Sequence, residues 1–175
     1  MPGNSRRQDS EVLPDLLRPG LRLVFCGTGA GPVSAKLGLY YAAPGNRFWP
    51  TLYKVGLTPT LFAPSQYPDL LPLGIGLTDV AKLAWGLDSD LPADELGPVA
   101  RARLMEKIER LQPRILAFTS KRAARAGLGK MAGYGPQATR IGETLPWVLP
   151  STSGLARGAW DEGPWRELAE RVLSL

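Results

Sequence analysis

The stretch Leu21-Arg22-Leu23-Val24-Phe25-Cys26, followed at once by Gly27-Thr28-Gly29-Ala30-Gly31-Pro32, decides the fold. A short apolar run that ends in glycine reads as a buried strand entering a tight turn. Three further runs have the same character: residues 74–80 (GIGLTDV), 114–119 (RILAFT) and 145–150 (LPWVLP). Helical segments lie between and after them. Pro98 stands where a first-turn proline belongs, Leu104, Met105, Ile108 and Leu111 follow at helical spacing, and Pro113 closes the segment. Ser120 is placed to cap a helix over 120–126 with Gly127 as its stop, and a last helix covers 163–173 with Trp165, Leu168, Ala169 and Val172 on one face. A short helix over 11–17 is expected before Pro19-Gly20 breaks it. Strands alternating with helices predict an α/β chain with a mostly parallel sheet covered on both faces, and sites in such sheets gather at the carboxyl ends of the strands.

The 175 residues suit one domain over 11–175 behind a flexible amino terminus at 1–10, and 44% hydrophobic content supports a single core. Twenty-one Lys and Arg against 16 Asp and Glu leave a net charge of +5, which favours a polyanionic partner. Cys26 is the only cysteine and histidine is absent, so intrachain disulfides, cysteine-held zinc or iron–sulfur centres and imidazole catalysis are all excluded. No metal and no cofactor are expected. Acid–base work falls to carboxylates, Lys, Tyr, Cys26, water or backbone. MPGNSRRQDSE has no long apolar run behind it, so neither a signal peptide nor a membrane span is expected, and a cytoplasmic monomer fits.

The turn GTGAGP first suggests a nucleotide site, because glycines after a strand let backbone N–H groups approach phosphate. The dinucleotide fingerprint wants a third glycine where Pro32 stands and an acid about twenty positions on, where 48–51 offers none; a P-loop would need Gly-Lys-Ser/Thr. What remains is a backbone surface suited to a flat ligand. Further on, Tyr40-Tyr41-Ala42-Ala43-Pro44-Gly45-Asn46-Arg47-Phe48-Trp49 combines aromatics with an amide and a cation, a mixture that can stack on a base and read its edge through Asn46. Phe48 and Trp49 taken alone read as core.

In order, FCGTGAGPVSA, AAPGNRFW, GIGLTDVAK and STSGLAR resemble the mismatch-specific uracil/thymine-DNA glycosylases, a branch of the uracil-DNA glycosylase superfamily, from about Pro14 to the carboxyl terminus. The resemblance implies a three-layer α/β/α sandwich around a central mostly parallel sheet. It also implies base flipping from double-stranded DNA and metal-free hydrolysis of an N-glycosidic bond, the first step of base excision repair. Uracil opposite guanine is the implied substrate, with thymine and ethenocytosine as further candidates. Gly27, Thr28 and Gly31 match the pocket floor, Ser34 a residue near the uracil 5-position, and Tyr41 the aromatic that stacks on the flipped base. Ser153, Gly154, Leu155 and Arg157 match the loop that fills the gap and meets the unpaired guanine. Gly29 stands where family members carry the asparagine that positions water, Ala30 where they carry proline, and Ser151 where the last motif commonly opens with asparagine.

With no side chain at Gly29, the reaction needs another polar group, because an oxocarbenium-like sugar is helped by a carboxylate that orients water and balances charge. Asp79 is the candidate, at the end of the predicted strand over 74–80; capping a following helix is its competing role. Ser120-Lys121-Arg122 at a helix start suits a DNA phosphate, with Arg47, Arg125, Lys130 and Arg140 extending a basic face. Asp88, Asp90, Asp94 and Glu95 read as solvated surface. No pocket position is lysine, so no lyase step is expected. The competing reading is a mismatch-binding module that lost catalysis with the asparagine.

Overall fold

The computed structural model describes residues 6–7, 10–156, 158 and 160–175. Strands β1 (Arg6–Arg7), β2 (Leu23–Ala30), β3 (Ile75–Trp85), β4 (Ile115–Phe118), β5 (Gly135–Pro136) and β6 (Leu145–Val148) form one sheet in the order β1-β3-β2-β4-β6-β5. The inner four run parallel, and the short edge strands β1 and β5 pair antiparallel with β3 and β6.

Alternation along the strands builds the layers. Leu23 and Phe25 of β2, with Ile115 and Ala117 of β4, face a cluster completed by α2 (Phe48–Lys54) and α5 (Gly163–Leu173) through Phe48, Leu52, Trp165 and Leu168. Val24, Cys26, Leu116 and Phe118 face the other way, onto α3 (Pro98–Leu111) and α4 (Lys121–Leu128) through Leu104, Ile108, Ala123 and Ala124. Strands buried on both faces must be apolar throughout, which is why these runs do not alternate with polar residues. The expected three-layer α/β/α sandwich is present.

Several local expectations are overturned. Residues 11–17 form no helix: Leu16 makes an antiparallel bridge to Leu77, so this segment lies along β3 instead. Gly27 to Ala30 are not a turn but the continuation of β2, paired Gly27 to Asp79 and Gly29 to Ala81, with an irregularity between Gly29 and Ala30. β3 likewise runs on to Trp85, so Asp79 lies in mid-strand and no helix follows for it to cap. Gly127 does not stop α4, which runs to Leu128 and is capped by Gly129. It lies inside the helix because a Cβ there would stand 2.4 Å from the Phe118 ring. Glycine at 127 serves close packing rather than a chain reversal.

β2 is where the connections reverse direction, since β3 lies on one side of it and β4 on the other. Such a switch point opens a crevice beyond the strand ends. The opening here has a definite cause. Pairing of β2 with β4 stops at Cys26 opposite Phe118, while pairing with β3 continues to Ala30. Thr119 and Ser120 turn away into α4, so the edge of residues 27–30 that β4 would have covered has no strand beside it.

Candidate active site

That open edge forms one wall of a cleft of about 820 Å3. Its lining unites residues far apart in sequence: the 27–34 segment, Tyr41, Asn46, Asp79, Ser120 and the loop 151–156. Of the residues singled out from the sequence, Asp79, Gly27, Thr28, Gly29, Ser34, Tyr41, Asn46, Ser120, Ser153, Gly154 and Leu155 all border it. Lys121 stands outside the lining, its ammonium 4.5 Å above the Tyr134 ring centre. Arg157 lies outside the described residues.

Asp79 is a buried carboxylate in the cleft wall. It is 6% exposed, and among the described residues no hydrogen bond to its carboxylate is found. Its side chain crosses directly over Gly27, where a Cβ would be 2.6 Å from Asp79 Oδ1, 3.1 Å from the Tyr41 hydroxyl and 3.6 Å from Thr119 Oγ1. Only glycine leaves room for these three groups to converge. Burial pushes the Asp79 carboxyl up from 3.8 to about 6; the positive charge of Lys82 opposes the rise, and Asp15 and Asp88 add to it. The group is therefore ionised at neutral pH but close to its titration point, where a proton acceptor is effective.

The surrounding polar groups are held by their own bonds. The Tyr41 hydroxyl lies 3.1 Å from Thr119 Oγ1, and its ring stacks on Phe48 at 3.8 Å between centres and 17° between planes. Tyr41 has φ of 52°, a left-handed backbone that turns this ring toward the cleft. Ser34, at the end of the first motif, accepts a hydrogen bond from the Ala42 N–H at 3.1 Å and so fixes that same turn. Asn46 Oδ1 accepts from the Phe48 N–H at 2.9 Å at the start of α2. Ser120 Oγ accepts from the Ala123 N–H at 3.0 Å, the cap that was expected for α4.

The loop after β6 is shaped by short serine bonds: Ser151 Oγ accepts from the Ser153 N–H, and Ser153 Oγ from the Leu155 N–H, each at 3.2 Å. Leu155, at the tip, is 81% exposed. A leucine so placed has no core to serve.

Three expectations change, and two further residues come into view. Asp88 is not simply solvated surface: Thr28 Oγ1 donates to its Oδ2 at 3.3 Å and also lies 3.3 Å from Ser120 Oγ, so Asp88 borders the cleft mouth. Its carboxyl is raised because protein desolvates its inner side, against the pull of Arg122 and the Thr28 bond. Glu95 is 4% exposed, inside the fold rather than on its surface. Arg47 does not extend a basic face, because its guanidinium lies 5.4 Å over the Trp160 ring centre and Nη1 is buried. Lys82, not singled out from the sequence, is buried behind the cleft wall, 2.7 Å from Asp15 Oδ1 and from the Leu13 carbonyl. Thr119 was also missed, although its place one residue before the Ser120 cap puts it at a strand end.

Among the described residues no cluster of Cys, Asp and Glu could hold a metal ion, and no helix is long and apolar enough to cross a membrane.

The same topology occurs in a candidate uracil DNA glycosylase from Methanosarcina acetivorans, solved in solution by NMR, with a TM-score of 0.62. The two sequences are 22% identical, and the match covers 97% of this chain and 99% of the other. At that identity the likeness speaks for the fold. The sequence itself matches the family model of the uracil DNA glycosylase superfamily over residues 14–169, a span that contains β2, Asp79, α4 and the Leu155 loop. The chain belongs to the uracil DNA glycosylase superfamily.

Proposed function

We propose that this protein is a monofunctional DNA glycosylase that removes uracil from double-stranded DNA, acting first on uracil opposite guanine. The observation that carries the proposal is the Asp79 carboxylate: buried, ionisable near neutrality, without a hydrogen-bond partner among the described residues, and facing a cleft large enough for a flipped nucleotide. Asp79 accepts a hydrogen bond from a water and aims its oxygen at C1′ of the sugar. As the C1′–N1 bond lengthens, its electron pair leaves with uracil N1, and the carboxylate offsets the positive charge that grows on the sugar. Water oxygen then bonds to C1′, its proton passes to Asp79, and the products are the free base and an abasic site. The leaving anion needs donors rather than an acid, and the open backbone edge of residues 27–31 supports that role.

In this reading Tyr41 closes one side of the base pocket, Ser34 and Asn46 border it, and Leu155 fills the gap left in the duplex. Ser120 and Lys121, at the start of α4, meet backbone phosphate. Lys82 is occupied by Asp15, which supports hydrolysis rather than Schiff-base chemistry.

The deciding experiment incubates the protein with a duplex containing one G:U pair and then treats it with alkali. Strand scission that appears only after alkali is expected. Tight binding without scission would make the protein a mismatch-binding module instead, and scission without alkali would indicate a lyase. Parallel duplexes carrying G:T or ethenocytosine define the range of bases.

A further inference from the structure

The loop that carries Leu155 is tied to the rest of the fold by a second loop that follows α1 (Pro32–Leu37), and Arg47 supplies two of the ties. Its backbone N–H donates to the Thr152 carbonyl at 2.8 Å. Its guanidinium lies 5.4 Å from the Trp160 ring centre at the far end of the same loop. Between these points the two loops nearly touch, since a Cβ on Gly154 would be 3.3 Å from the Gly45 carbonyl oxygen. Trp160 in turn packs against fully buried Trp165, whose Nε1 donates to the Pro150 carbonyl at 3.0 Å. The loop is thus pinned on both sides of an exposed tip. A planar guanidinium is suited to this place because it can stack on an indole while presenting donors at its edge, which an ammonium cannot do.

Arg47 Nη1 is buried and has no hydrogen-bond partner among the described residues. A buried donor left without an acceptor is unfavourable, which leaves Nη1 free to bond a carbonyl or phosphate oxygen that comes within reach.

We propose that Arg47 is a positioning residue for duplex recognition: its guanidinium on Trp160, beside the main-chain bond to Thr152, holds residues 151–156 so that Leu155 is ready to enter the base stack. This rests on the glycosylase reading. It makes Leu155 effective through Arg47, so removing either should cost the same step.

The test uses the full chain and two substrates, a G:U duplex and a single strand of the same sequence. Arg47→Met should lower single-turnover excision from the duplex about tenfold, with less than about a twofold change on the single strand. Adding Leu155→Ala to Arg47→Met should cost little more, because the clamp and the wedge serve one event. Hydrogen exchange of the 153–156 amides in the DNA-free protein should quicken in Arg47→Met while α5 stays protected. Trp160→Ala, measured the same way, should behave alike and stands in if Arg47→Met does not fold. Equal losses on both substrates, full additivity with Leu155→Ala, or unchanged loop exchange would each overturn the clamp. If the natural protein excises nothing, the glycosylase reading fails while the exchange measurement still decides whether Arg47 holds the loop.

Discussion

The carboxylate of Asp79 lies across the α-carbon of Gly27, so close that a Cβ there would stand 2.6 Å from Oδ1. The two residues are register partners on adjacent parallel strands. Gly27→Ala should therefore leave the fold intact, because the atom in the way is the end of a side chain, but it should push that carboxylate aside. A shift of this kind costs on the order of a hundredfold in rate when it misplaces a reacting group. Single-turnover excision on a G:U duplex, beside a thermal melt, checks it; a variant of normal rate would mean that the position of Asp79 does not matter.

The raised carboxyl of Asp79 also makes opposing predictions for activity and stability. Ionisation through a pKa of about 6 should give an excision rate that falls as pH drops below that value. Stability runs the other way. The folded state binds the proton more tightly than the unfolded chain, whose Asp titrates near 3.8, so the contribution of Asp79 is complete below 3.8 and is lost as pH rises through about 6. A rise from 3.8 to about 6 amounts to about 3 kcal/mol against the ionised form. Asp79→Asn should then be inactive yet melt several degrees higher at pH 8, with the difference vanishing toward pH 4. Loss of both activity and stability at pH 8 would contradict a carboxylate kept for catalysis.

The main strands and the helices α3, α4 and α5 were legible in sequence because periodicity and caps report local preference. Residues 27–30 were not. Their glycines carry a turn signal that pairing to β3 overrides, and such pairing is invisible until the partner strand is placed. Asp79 was found as a carboxylate near the sheet's working end, although for a partly wrong reason: it lies within β3, opposite Gly27, and borders the cleft from mid-strand. Asp88, Thr119 and Arg47 were missed or misjudged for one shared reason. Each is defined by a partner 60 or more positions away: Thr28 for Asp88, Tyr41 for Thr119 and Trp160 for Arg47. Composition and spacing do not encode such encounters.

The resemblance to the mismatch-specific glycosylases puts Gly29 in the place of a water-positioning asparagine, yet restoring that residue should fail. A Cβ at 29 meets Ala81 Cβ and Leu91 Cδ1 at 3.2 Å each and the Ala81 carbonyl at 3.3 Å. Overpacking of this degree costs roughly 1–3 kcal/mol. Gly29→Asn should lower the melting temperature without raising the rate, and it should not rescue Asp79→Ala. Recovery of excision in that double variant would show that the asparagine site is open and that Asp79 is not the group on which this chain relies.

Leu155 gives the cleanest separation of function from stability. A leucine 81% exposed contributes almost nothing to the folded state, so Leu155→Ala should leave the melting temperature unchanged to within about 0.5 kcal/mol of stability. Held in water at a loop tip, the side chain gains its favourable burial only when something covers it. In the proposed reaction that cover is the stack of bases around an extruded nucleotide, where an apolar wedge offsets part of the unstacking cost. Excision from a G:U duplex should consequently fall by about tenfold, whereas a single strand, with no gap to fill, should lose less than about twofold. Rates measured on both substrates with one preparation give the ratio directly, and an unchanged ratio would mean that Leu155 does not act as a wedge.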